Sequence, residues 1–144
     1  MSTAQEAGNK AAFTRVLDAS NSHDEQLMRK TIGEVFHPDV RMATALPLGA
    51  TGVEAVREVF TTLHRAFPDL RIKAEDLIAK DDKVVARQTV TGTHQGEYMG
   101  LPPTGRPVTY REIFILRFAA GRIVEVWGVV DVHSQMKQLH AVWP

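Results

Sequence analysis

The stretch VTYREIFILRFAAGRIVEVWGVVD, residues 108–131, decides the fold. Its two β-rich runs, 108–118 and 122–131, alternate with a period of two around Ala119-Ala120-Gly121, which is hairpin spacing. Upstream, RIKAEDLIA (71–79) and VVARQTVTGTH (84–94) flank the turn Lys80-Asp81-Asp82-Lys83. Before Leu70 the period lengthens to nearly four. Three capping boxes, Thr3 with Glu6, Ser22 with Glu25 and Thr51 with Glu54, predict helix starts, because a hydroxyl and a carboxylate three residues apart satisfy two exposed N–H groups. Apolar residues follow each at helical spacing: Ala12, Phe13, Val16 and Leu17; Leu27, Met28, Ile32, Val35 and Phe36; Val53, Val56, Val59, Phe60, Leu63 and Phe67. The third helix stops near Pro68, since proline disfavours helical geometry in the residue before it. HPDVRM (37–42) reads as a short strand, ATALPLG (43–49) as an irregular loop, and HSQMKQLHAV (133–142) as a closing helix. Helices followed by an antiparallel meander predict one α+β domain over 1–144, its curved antiparallel sheet wrapped round the N-terminal helices. An apolar pocket belongs between the two layers.

Composition narrows the chemistry. Seventeen Lys and Arg balance seventeen Asp and Glu in 144 residues, so no electrostatic footprint draws the chain to nucleic acid or anionic lipid. A chain near zero net charge lacks the self-repulsion that keeps monomers apart, and a homodimer or higher homo-oligomer is expected. Cysteine is absent, which removes disulfides, thiolate metal ligands and thiol nucleophiles. No apolar run approaches the roughly 20 residues of a membrane helix, and the first twenty residues lack a signal-peptide core. The expectation is a cytoplasmic protein.

In GRIVEVWGVVD (121–131), alternation puts Glu125, Trp127, Val129 and Asp131 on one strand face. An acid beside an indole and a valine loses hydration, its pKa rises, and it becomes a better proton shuttle near neutrality. The same Asp131 could instead cap the closing helix. Hairpin register decides its neighbours. Glycine in the fourth place of Phe118-Ala119-Ala120-Gly121 predicts a type I turn with a G1 bulge. Asp131 then faces Thr109, with Arg111 and Ile113 on its face. A two-residue turn sets it beside Tyr110 and Glu112 instead, where like-charge repulsion would raise one carboxyl pKa.

The connection THQGEYMGLPPTGRPV, residues 93–108, is long for a compact domain and reads as a lid or a subunit contact. It presents Tyr98 and Met99. No HExxH or HxH pair occurs among the six histidines, so metal binding is not expected. His94 at the strand end and His64 beside Phe60 on the third helix are positioned to reach the pocket.

GTHQGEYMGLPPTGRPV, EIFILRF and GRIVEVWGVVD, together with GVEAVREVFTTLHRAFPDLRI and QMKQL, resemble the SnoaL-like polyketide cyclases, or ester cyclases, of the ketosteroid-isomerase-like cone fold. The resemblance covers about residues 8–142. It implies a barrel-like α+β cone with an apolar cavity, usually oligomeric, and no metal or organic cofactor. It also implies intramolecular aldol ring closure of a hydrophobic polycyclic carbonyl or ester substrate, with Asp131 as acid/base and Trp127 as pocket wall. A histidine common on the family's neighbouring strand is missing from 108–118, so either His94 takes its place from the adjacent strand or the second polar partner is missing. Arg111, Tyr98, Met99, Phe60 and His64 are expected to bind substrate. A different cofactor-free reaction, isomerisation or hydrolysis, is the alternative, and a second pocket acid such as Glu112 would favour it. A non-catalytic binding or dimerisation module of the same fold is the third reading.

Overall fold

A computed structural model describes residues 3–44 and 46–140. Helices α1 (Ala4–Ser22) and α2 (Glu25–Val35) lead into strand β1 (Phe36–Met42) and helix α3 (Gly52–Ala66); strands β2 (Arg71–Lys80), β3 (Lys83–Thr93), β4 (Pro107–Ala119) and β5 (Arg122–Val130) follow, then helix α4 (Val132–Gln138). The expected α+β layering is present, and the closing helix is described only as far as His140. No helix among the described residues is long and apolar enough to cross a membrane.

Local chemistry sets most of these boundaries. Thr3 and Glu6 form both bonds of their capping box, at 3.0 and 2.7 Å. The second oxygen of Glu6 accepts from the Asp81 amide at 2.7 Å, tying the start of α1 to the β2–β3 turn. The other two boxes differ from expectation. Helix α1 runs through Ser22, whose hydroxyl donates to the Ala19 carbonyl, and Asp24 caps α2 by accepting from the Leu27 amide at 3.0 Å. Thr51 precedes α3 without a side-chain cap bond. Glu58 reaches back to the Gly49 and Ala50 amides instead, fixing the approach to the helix.

The sheet order is β1-β5-β4-β3-β2. HPDVRM does form a strand, but it pairs parallel with β5 at the edge, which makes the sheet mixed where an antiparallel one was expected. The helices cover one face, and Phe67, Phe118, Ile123, Leu70 and Ile32 are fully buried between the layers. Truncating one such phenylalanine to alanine costs about 3–5 kcal/mol.

The β4–β5 turn has two residues, with Ala119 paired to Arg122. Ala120 and Gly121 both take positive φ, 50° and 78°. This is the primed turn whose twist matches the strands, and that match outweighs the cost of alanine at positive φ. A bulge follows, since Phe118 pairs with Ile123 but Arg117 with Glu125. Turn and bulge each shift the pairing by one residue relative to the expected register, so parity returns. The Asp131 amide donates to the Arg111 carbonyl at 3.0 Å, and Arg111 and Ile113 do lie on the Asp131 side.

Candidate functional site

That side is the outer one. In β4 the even residues Val108, Tyr110, Glu112, Leu116 and Phe118 are buried, whereas Thr109, Arg111, Ile113 and Ile115 are exposed. Trp127 is 43% and Val129 76% exposed. The expectation that Trp127 and Arg111 line the pocket is corrected accordingly. Asp131 is exposed and caps α4, its carboxylate accepting from the Ser134 amide at 3.0 Å. The sequence pattern grouped these residues on the correct common face, but the helices cover the opposite one.

Between the sheet and α1, α3 and α4 lies a cavity of about 90 Å³. Its walls include Phe13 and Leu17 from α1, Val56, Val59, Phe60 and Leu63 from α3, and Phe114, Leu116, Val126 and Val130 from the sheet. Gly128 stands opposite Phe114, and a β-carbon there would fall 2.2 Å from the ring. Only glycine leaves room for that inward ring.

The polar lining consists chiefly of Glu112, Gln88, Tyr98, Tyr110 and Gln135. Glu112 is the one carboxylic acid among the described residues of that lining. Gln88 and Glu112 are directly opposed on β3 and β4, and Gln88 Nε2 donates to Glu112 Oε1 at 2.6 Å. Burial pushes the Glu112 carboxyl up to about 7, with the Gln88 bond opposing the rise. The group therefore exchanges its proton near neutrality. Tyr98 donates to Gln135 Oε1 at 3.1 Å. Both tyrosine hydroxyls are raised above their ordinary value, first by burial and further by the nearby Glu112. They remain hydrogen-bond donors. Gln88 Oε1 and Gln135 Nε2 have no protein partner although buried, leaving one acceptor and one donor on the cavity lining. Such unsatisfied groups are rare in native interiors and suit a ligand carrying both carbonyl and hydroxyl oxygens.

The remaining expected site residues divide. Tyr98 and Phe60 do line the cavity. Met99 is 40% exposed at positive φ, turned outward beside the Tyr98–Leu101 bridge. His94 is fully buried but stands behind the cavity, its Nδ1 3.0 Å from the Thr104 hydroxyl and its ring against Phe67. It holds the long loop in place rather than facing the cavity. The same loop is pinned where the Gln95 and Gly96 amides donate to the Ala66 carbonyl. His64 lines a separate groove among the helices. Burial, and secondarily the adjacent His23, lower its pKa.

Alternation alone did not single out Gln88 and Gln135, and it named Tyr110 and Glu112 only under the two-residue turn. Two signals mark the inner face: a glycine in the middle of β5, and arginines confined to the odd parity in β4. Among the described residues no group of three or more His, Asp and Glu stands close enough to hold a metal.

A family model described as SnoaL-like polyketide cyclase matches residues 10–139. The aklanonic acid methyl ester cyclase AcmA of Streptomyces galilaeus is 28% identical over 138 residues, 93% of this chain and 92% of that protein. The nogalonic acid methyl ester cyclase of Streptomyces nogalater is 25% identical over 115 residues, covering 78% of this chain and 86% of its own. The crystal structure of a SnoaL-like polyketide cyclase from Agrobacterium tumefaciens superposes with a TM-score of 0.75 at 25% identity, over 96% of this chain and 99% of that one. With the family match running from Lys10 to Leu139 and the cone architecture present, this chain belongs to the SnoaL-like polyketide cyclase family.

Proposed function

We propose that the protein closes a ring by intramolecular aldol addition within a hydrophobic polycyclic carbonyl substrate, with Glu112 as the proton-transfer group. The observation that carries this reading is a lone carboxyl, raised to about 7, in a predominantly apolar cavity. The methyl ester cyclases among the relatives support the reaction class. In its ionised form Glu112 takes a proton from carbon α to a carbonyl. The carbanion, delocalised into that carbonyl, forms a bond to a second carbonyl carbon of the same molecule. Protonated Glu112 then returns the proton to the new alkoxide, so the reaction balances without any co-reactant. Tyr110 and Gln135 Nε2 supply donors for the developing oxyanion.

Isomerisation by the same proton transfer, without a new carbon–carbon bond, is the second reading, and the small cavity of about 90 Å³ favours it. The test is conversion of an anthraquinone-type methyl ester, with absorbance, product mass and product NMR followed for wild type, Glu112→Gln and Asp131→Asn. A ring-closed product from wild type and Asp131→Asn but not from Glu112→Gln is the expected result. Full activity of Glu112→Gln overturns the assignment.

For the partner we propose a second copy of this chain, seated on the outer sheet face. Ile113 opposite Val129 and Ile115 opposite Trp127 form two adjacent exposed apolar pairs there. Contiguous patches of this kind mark interaction sites.

A further inference from the structure

A groove of about 400 Å³ opens where the end of α1, the start of α2 and the second half of α3 meet. Its floor is apolar, formed by Met28, Ile32 and Phe60, and its rim carries Arg29, Arg57 and Arg65. Phe60 is the one residue that lines both this groove and the Glu112 cavity. One turn further along α3, His64 Nε2 lies 3.0 Å from the Ser20 hydroxyl and ties α3 to α1 beside that ring.

The Glu112 cavity of about 90 Å³ is far below the roughly 300–1,000 Å³ typical of small-molecule sites, whereas the groove falls within that range. A multi-ring molecule therefore cannot react at Glu112 while lying wholly inside. We propose that the groove is the outer compartment of the same site, divided from the inner one by the Phe60 ring, and that it takes a carboxylate-bearing aromatic portion of the ligand. This rests on the Glu112 reading only for the chemistry of the inner compartment.

Donor groups and shape favour that occupant. Arg57 is paired with Glu54, but Arg29 and Arg65 have no carboxylate within ion-pair distance among the described residues. The lining also holds two carboxylates, Asp24, which caps α2, and Glu25 beside it, so a ligand carboxylate is drawn by the directed N–H donors of Arg29 and Arg65 rather than by net charge. Guanidinium groups bind carboxylates through paired N–H donors and stack on aromatic faces, while Met28, Ile32 and Phe60 offer apolar surface to flat rings. Phe60 is half-buried on α3 and lines both compartments, so its ring is the side chain that the proposal requires to turn aside.

The test uses anthraquinone-2-carboxylate and its neutral analogue anthraquinone-2-carboxamide, titrated into the full chain by calorimetry and by NMR of the His64 ring and the Gln88 and Gln135 side-chain amides. The expected result is about tenfold tighter binding of the carboxylate, a preference abolished by combined Arg29→Gln and Arg65→Gln at exposed positions. Groove and cavity resonances should shift together along one binding curve, and Phe60→Ala should enlarge the cavity shifts. Equal affinity for the two probes, or an undiminished preference in the double variant, overturns the anionic subsite. Shifts confined to His64 overturn the single two-compartment site. Full turnover of the methyl ester by Glu112→Gln, with the carboxylate preference present in wild type, overturns the catalytic reading while the groove stands.

Discussion

Gln88 and Glu112 face each other across β3 and β4, and the 2.6 Å bond between them is the closest polar contact of the cavity's acid. A donor aimed at a carboxylate favours the charged form, while the surrounding apolar walls favour the neutral one. Burial wins, with the carboxyl at about 7. The bond nevertheless keeps a usable fraction ionised at neutral pH.

Glu112→Gln keeps the shape and can still accept the Gln88 bond, but it cannot carry a proton. Turnover is expected to fall by at least about a hundredfold, in line with the contribution of a positioned acid/base. Asp131→Asn should retain activity, and because asparagine caps helices as well as aspartate, stability should hold as well. Asp131→Ala is expected to cost about 1 kcal/mol through loss of the α4 cap, visible as a lower urea midpoint.

The pH dependence follows from the raised carboxyl. A base acting as the anion gives kcat/KM that rises with pH through about 7 in wild type. Gln88→Leu removes the donor that stabilises the anion, so the same profile should move to higher pH. A profile that stays put in Gln88→Leu would separate the observed titration from Glu112.

Stability carries the same signature with a fixed sign. The folded state holds the Glu112 proton above the ordinary value of 4.5 up to about 7. Its contribution is complete below the unfolded value and is lost as pH rises through the folded one, by up to roughly 3 kcal/mol. Urea unfolding at about pH 5 and about pH 8 should show wild type losing stability relative to Glu112→Gln at the higher pH. Parallel changes in the two proteins would contradict the burial of this charge.

Much of the architecture was legible because periodicity and capping are local. The helix faces through Phe13, Val16, Ile32, Val56 and Val59 follow from spacing, as does the common face of Trp127, Val129 and Asp131. What alternation does not reveal is which face of a strand the helices cover when both are apolar. In β4, Ile113 and Ile115 on one parity compete with Phe114 and Leu116 on the other, and an acid sits on the covered side. The family pattern then drew attention to the strand-end aspartate, while the buried acid lay on the preceding strand. The parallel pairing of β1 was illegible for a different reason: strand pairing at an edge depends on where α2 releases the chain, not on the composition of HPDVRM.

Tyr98 links the long loop to α4 through its bond to Gln135. Tyr98→Phe leaves a buried amide oxygen without its donor, a loss of about 1–3 kcal/mol. The expected result is a lower melting temperature together with faster hydrogen exchange in 94–106, since that bond is the loop's side-chain tie to α4. Unchanged exchange there would place the loop's anchorage in the Ala66 carbonyl bonds alone.

The outer sheet face offers the last prediction. Ile113, Ile115, Trp127 and Val129 are adjacent and exposed, and their apolar area gains most from burial against an identical patch, because a two-fold axis brings each residue against the same surface on the other copy. Val129 is the most exposed of them, at 76%, so Val129→Glu should leave folding within about 0.5 kcal/mol of wild type. Across a two-fold contact the same change sets two carboxylates into an apolar interface, where burying unpaired charge is costly. Sedimentation velocity is expected to show a wild-type dimer and a predominantly monomeric Val129→Glu. A wild type that sediments as a monomer at every concentration would remove the second copy from this face and leave the patch to a different partner.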